Sequence, residues 1–303
     1  MLLAAELSNK DGDLFVGLCE YCDQKAGFFQ SVHPACVAKA NSTAETVKTF
    51  VTKTIVDGGS LADLQLGLPP IMGNVKEQYV HEAIQNGLNE SASQVARKAP
   101  VSDDDYTRIE AIMTAYGVKT DISKRWFGFL GLCQSNMLHQ VLNNILPAWN
   151  DPPLFNLRHG EVLCYQTGAT VVYAEEKTVS TGRGYGGISL PVGHGIYAHL
   201  GESKPQKVSG LMPLDAGQVA ITSETFYFAG QKTTLQIPLR HVIRYQAYVD
   251  GIGICESHGA PKVFTFNQNC QFPDGRFLTV NAQYDSGWFL YPFLTALTNR
   301  LNV

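Results

Sequence analysis

Cys19, Cys22, His33 and Cys36 fall within eighteen residues of one another in the spacing C-x2-C-x10-H-x2-C, which constrains the N-terminal segment more than any other feature of the chain. A C-x-x-C pair on a tight turn places two thiolates on one edge of a tetrahedron, and an H-x-x-C pair can close the opposite edge. The set therefore predicts a zinc site with four protein ligands. Such a site leaves no position open to water, so its role would be structural. The competing account is that three of the seven cysteines are ordinary buried side chains and His33 lies on the surface, since cysteine is often buried. The segment from Lys25 to Phe29, with Gly27 for a turn and Phe28 and Phe29 as apolar floor, suits a knuckle too small to fold without metal. Asp23 departs from the usual pattern, because zinc knuckles commonly carry Gly after the second cysteine.

A chain of 303 residues with 45% apolar content has room for two ordinary domains and a small appendage. Its formal charge is −4. Residues 1 to 154 carry 12 basic and 17 acidic side chains, and residues 155 to 303 carry 11 and 10, so neither half is a basic module suited to nucleic acid. The start, Met1 to Glu6, lacks the features of a signal peptide, and no run approaches the roughly eighteen apolar residues of a membrane span. Cys133, Cys164, Cys255 and Cys270 are scattered, which fits a reducing compartment and predicts a cytoplasmic protein.

From Ser42 to Pro147 the period is helical. Ser42 and Glu45 match a capping box ahead of Val47, Phe50, Val51 and Ile55, with Gly58 and Gly59 as the stop. A short segment from Ser60 is expected to end at Pro69 and Pro70. Val75, Tyr79, Val80, Ala83, Ile84, Gly87, Leu88, Ala92 and Val95 form the clearest apolar stripe. Ser102 and Asp105 are read as the cap of a helix bearing Ile109, Ile112 and Met113, closed by Gly117. The acidic run Asp103 to Asp105 lacks the ligand spacing of a calcium loop. A last helix is expected from about Ile122 to Leu146, apolar nearly all round through Trp126, Phe129 and Leu132.

Trp149 to Pro153 reads as a linker, after which the period changes to 2. Strands are expected around Val162 to Cys164 and Val171 to Tyr173, at Ile188–Val192, Gly195–Leu200, Gln218–Thr222, Thr225–Ala229 and Thr233–Ile237, and at Val242–Tyr248, Ile252–Glu256 and Lys262–Asn267. Gly287 to Leu301 turns amphipathic again, with Trp288, Phe293, Leu294, Leu297 and Leu301 as its apolar residues. The expected organisation is α+β and multidomain: a zinc knuckle over 1–41, a helical bundle over 42–148, and over 155–303 an antiparallel β-barrel, closed or nearly so, capped by a helix.

Five stretches carry a resemblance. Asp215-x-Gly217-x-x-x-Ile221-Thr222, Phe226-Tyr227-Phe228-x-Gly230-x-Lys232 and Ile237-Pro238-Leu239-x-x-Val242-Ile243 resemble the core of GRAM and bacterial pleckstrin-homology-like domains. Tyr248-x-Asp250-Gly251-Ile252-Gly253-Ile254 and Gly287-Trp288-Phe289-x-Tyr291 are similar to a bacterial family of unassigned activity that joins a zinc knuckle, a helical middle region and this domain. The resemblance implies two orthogonal sheets closed by a helix, and it does not imply an enzyme. The same residues have mechanical roles, with Phe226 and Phe228 on one face, Tyr227 on the other and Gly230 in the turn.

Gly182-x-Gly184-x-x-Gly187 matches the dinucleotide fingerprint in letters only, since strand-like Ile188 to Val192 follows where a helix is required. No G-x-S-x-G, H-E-x-x-H or Walker loop occurs, and His159, His194, His199, His241 and His258 are dispersed. The expected function is that of a non-enzymatic cytoplasmic interaction protein that binds a protein partner or assembles with itself through the C-terminal domain. The alternative is a peripheral lipid or membrane-surface binder, for which Arg183, Lys204, Lys207, Arg240 and Arg244 are the candidate ligand-binding residues.

Overall fold

The computed structural model describes residues 18–22, 24–26, 31–73, 75–98, 100–118, 127–149, 152–167, 170–180, 207–266, 269–271, 277–279 and 287–302. Two compact units divide the chain: residues 1–99 with 104–132, and residues 100–103 with 133–303.

The first unit is helical. Helix α1 (Pro34–Val56) begins nine residues earlier than the Ser42 capping box predicts. His33 is its N-cap and Pro34 its first residue, a place where the missing N–H costs nothing, and Ser42 becomes an interior position. Ala40, Val47, Val51 and Ile55 form the buried stripe of α1. Helix α2 (Leu61–Met72) starts with a capping box between Ser60 and Asp63. It passes through Pro69 and Pro70 instead of stopping there, because both prolines are exposed and water can satisfy the carbonyls they free. Helix α3 (Glu77–Lys98) buries Val80, Ala83, Ile84, Gly87, Leu88 and Ala92 of the expected stripe, while Tyr79 and Val95 are half-buried and Val75, also half-buried, precedes the helix. It packs on α1 so closely that a Cβ on Gly87 would stand 2.9 Å from the Lys48 carbonyl oxygen. Helix α4 (Asp103–Ala115) buries Ile109, Ile112 and Met113 and is followed by Gly117 at φ 69°. Helix α5 (Phe127–Leu142) is shorter than expected, ending four residues before Leu146; Trp126 lies outside the described residues.

The second unit is a sheet with a C-terminal helix and the part of α5 from Cys133 onward. Its strands are β1 (Leu163–Gln166), β2 (Val171–Ser180), β3 (Lys207–Thr222), β4 (Thr225–Gly230), β5 (Thr234–Pro238), β6 (Val242–Tyr248), β7 (Gly251–Glu256) and β8 (Lys262–Thr265), followed by the short pair β9 (Asn269–Gln271) and β10 (Phe277–Thr279). The main sheet runs β5-β4-β3-β2-β8-β7-β6, with β1 also paired to β3, and every pairing is antiparallel. Among the described residues the sheet is open, which corrects the expected barrel. Between β5 and β6 the chain turns through Pro238 and a single 3-10 turn (Leu239–His241), so these consecutive strands do not pair. Helix α6 (Gly287–Leu301) packs on that turn and on β6 and β7.

Phe289, Leu290, Phe293, Leu294 and Leu297 of α6 are fully buried, together with Phe226, Phe228 and Phe264 of the sheet. Each such side chain contributes about 1.5–3 kcal/mol of burial. Leu301, expected in the same apolar set, is exposed in the last turn. Phe226 and Phe228 face this core while Tyr227 faces a smaller cluster with Leu163 and Ala220, as the alternation predicts. Met137 and Val141 of α5 belong to the same core as α6, and half-buried Trp149 packs edge-on against Tyr165 at 5.6 Å. The long strand β3 accommodates Pro213 at a bulge opposite Tyr173 and Ala174.

Ile188–Val192, Gly195–Leu200 and the Gly182–Gly187 loop lie outside the described residues. No described helix is long and apolar enough to cross a membrane.

Candidate metal centre

The C-x-x-C turn is built by a single antiparallel bridge between Leu18 and Lys25, within which the Cys19 N–H donates to the Gln24 carbonyl at 2.7 Å. The Glu20 N–H reaches across to the Ser31 carbonyl at 3.1 Å and draws the second half of the motif towards the first. His33 is extended (φ −86°, ψ 132°) as the N-cap of α1, and Cys36 is the third residue of that helix. The N–H of Cys36 donates to the His33 carbonyl at 3.0 Å, so the H-x-x-C spacing is one helical turn with both side chains on its near side.

These elements bring all four predicted ligands together. One ligand atom from each of Cys19, Cys22, His33 and Cys36 lies within 4.8 Å of every other. His33 Nδ1 is 3.5 Å from Cys22 Sγ and 3.7 Å from Cys36 Sγ. A tetrahedral ion with bonds of about 2.3 Å to sulfur and 2.0–2.1 Å to nitrogen separates those atoms by roughly 3.6 Å, so the donor set fits a metal ion. Among the described residues it is the one grouping of Cys, His, Asp and Glu so arranged.

The tautomer of His33 follows from its second nitrogen. Nε2 lies 3.0 Å from the Lys25 carbonyl oxygen, which only accepts, so Nε2 carries the proton and the Nδ1 lone pair faces the sulfurs. Cys19 is buried, Cys22 exposed, and His33 and Cys36 are intermediate. Burial opposes ionisation of the Cys19 thiol, yet backbone N–H groups, that of His33 foremost, outweigh it and pull the thiol down to about 6. The His33 N–H to Cys19 Sγ distance is 3.4 Å. Burial, followed by the nearby Cys22 and Cys19 sulfurs, pushes Cys36 up to about 11. Negative charge on neighbouring sulfurs at this spacing is mutually repulsive, and a cation among them would offset that repulsion.

Among the other predicted residues, Arg183 and Lys204 lie outside the described residues, and Lys207 opens β3 with a side chain that is also outside them. Arg240, in the 3-10 turn, and Arg244, in β6, are exposed; the Arg244 guanidinium reaches Cys255 Sγ at 3.9 Å.

Residue types alone did not mark three polar sites. Asp215 is fully buried in β3; its Oδ2 accepts from the Lys232 and Thr233 N–H groups at 2.7 Å each and fixes the β4–β5 turn. Glu161 accepts from the hydroxyls of Thr225 at 2.6 Å and Tyr227 at 2.7 Å. Asn136 of α5 donates to the Val101 carbonyl at 3.1 Å and to Asp103 at 2.7 Å. The signal for Asp215 was a lone carboxylate in an apolar strand; each of the other sites joins residues more than thirty positions apart, which no local pattern encodes.

No protein-family model matches the chain, and no curated protein matches it. What the fold and the site define together is a chain with an N-terminal Cys and His cluster close enough to hold a metal ion, a helical region and an antiparallel sheet unit.

Proposed function

We propose that this chain is a non-enzymatic interaction protein of the cytoplasm, in which a structural zinc ion organises the N-terminal knuckle and a GRAM-like or pleckstrin-homology-like sheet unit binds a protein segment or a second copy of the chain. Zinc is favoured by three sulfurs and one nitrogen at tetrahedral spacing. With all four positions filled by protein, the ion would activate no water, and the cluster offers no catalytic step. The sheet unit's assignment rests on the hairpin motifs and on an antiparallel meander followed by a C-terminal helix.

One observation carries the binding role: among the described residues β6 ends the sheet and exposes Ile243, with Val249 exposed directly after it, while Trp288 and Tyr291 are exposed on α6, the helix packed against that strand. An edge with unpaired backbone groups beside apolar side chains supports addition of an extended strand from another chain. The exposed Arg240 and Arg244 favour anionic partners at the same edge. The test compares the full chain with Ile243→Lys and Trp288→Ala by light scattering and by pull-down with mass spectrometry. A discrete oligomer or a defined partner lost in both variants supports the reading. A monomer whose captured proteins do not change overturns it, and sedimentation with anionic vesicles instead would transfer the edge to lipid.

A further inference from the structure

Two residues separate Cys19 from Cys22, and α3 holds both of them. The Glu20 carbonyl oxygen accepts from Lys76 Nζ at 2.9 Å and from Tyr79 Oη at 3.1 Å. The Tyr21 ring stacks on Tyr79, with centroids 4.1 Å apart and planes 20° from parallel. Lys76 immediately precedes α3, Tyr79 is its third residue, and the next residue, Val80, is fully buried in the helical unit. The turn that presents two of the four sulfurs is therefore gripped from more than fifty residues away by an element that supplies no ligand.

We infer that Tyr79 and Lys76 are positioning residues of the metal centre, and that metal loading and docking of the Cys19–Cys22 turn on α3 are one coupled event. This rests on the zinc reading above. A C-x-x-C turn pays conformational entropy to hold its sulfurs at ligand spacing, and a support that fixes the turn in advance lowers that cost and slows metal loss. The captured carbonyl fixes the peptide after Glu20, while the stacked rings fix the direction of Tyr21. Lys76 also brings a cation to a cluster whose three thiolates and one divalent ion sum to −1. Coupling of this kind is reciprocal: whatever α3 adds to metal affinity, the metal adds to the stability of the start of α3.

The experiment uses the full zinc-loaded chain. Zinc release to a chromogenic chelator is timed for the parent, Tyr79→Ala, Tyr79→Phe and Lys76→Met, and hydrogen exchange is followed over residues 79 to 83 with zinc present or stripped. Tyr79→Ala is expected to release zinc about tenfold faster or more, in line with the effect of removing an outer support of a metal site. Tyr79→Phe keeps the stack, loses the hydrogen bond and falls between. Stripping zinc from the parent should speed exchange at the start of α3 and leave β4 and β7 unchanged. Release from Tyr79→Ala within twofold of the parent, or α3 exchange indifferent to zinc, overturns the inference. Should Tyr79→Ala fail to fold, exchange in the parent decides alone. A parent that binds no metal would instead defeat the zinc reading.

Discussion

A Cβ added to Gly230 would stand 2.2 Å from Oδ2 of Asp215, the oxygen that accepts both turn N–H groups. The glycine and the carboxylate are thus one device, since the turn can close over the buried acid only where no side chain intervenes.

Asp215→Ala should leave the Lys232 and Thr233 N–H groups without their acceptor and cost about 2–4 kcal/mol, the scale of losing two hydrogen bonds to a charged group. Chemical denaturation followed by exchange at β4 and β5 checks this, and an unchanged midpoint would remove Asp215 from the framework.

Leu297→Asp places a carboxylate at a fully buried site in the α6 interface and is expected to cost several kcal/mol, on the order of 3–5, the scale of an uncompensated buried charge. Loss of α6 protection should accompany the lower stability. A variant that melts like its parent would mean that α6 does not cover the core as described.

Zinc uptake should release protons. In the metal-free protein Cys19 lies at about 6 and Cys36 at about 11, so at pH 7.5 Cys36 still holds its proton and must give it up to become a ligand. Affinity therefore rises with pH through the neutral range and falls on acidification. Calorimetry in buffers of differing ionisation enthalpy should give a release of at least about one proton per ion. Elemental analysis of the purified protein should find about one zinc, lost in Cys22→Ser.

Hydrogen bonds from Asn136 and then Gln140 hold the Asp103 carboxyl below the usual carboxylate range. A depressed carboxylate stabilises the fold above its unfolded value of about 3.9, and that contribution is lost as pH falls through the lower folded value. Exchange at the Val101 amide, which donates to Ser135, should quicken below about pH 4 in the parent and show no such step in Asp103→Leu. An identical pH profile in both would separate Asp103 from that anchor.

The Cys and His cluster was legible because its four residues lie close in sequence and only a few residue types bind metal. The strands from β4 to β8 and the α3 stripe were legible because one buried face imposes a simple period. The start of α1 was not: a plausible capping box at Ser42 concealed the real start at Pro34, whose N-cap, His33, makes no side-chain cap hydrogen bond. Nor was the openness of the sheet, since whether β5 and β6 pair depends on how the chain turns at Leu239 and not on the pattern within either strand. The grip of Tyr79 on Glu20 was also hidden, because an aromatic near a helix start reads equally well as core.

The position of Met137, Val141 and Trp149 in the core around α6 bears on how the sheet unit can be isolated. A fragment begun at residue 155 would leave behind all three side chains and expose Tyr165 and its neighbours to water, inviting aggregation during expression. One begun at Cys133 keeps them, and recombinant work on the C-terminal unit should cut there, inside the span of a continuous helix, where no gap in the sequence advertises a boundary.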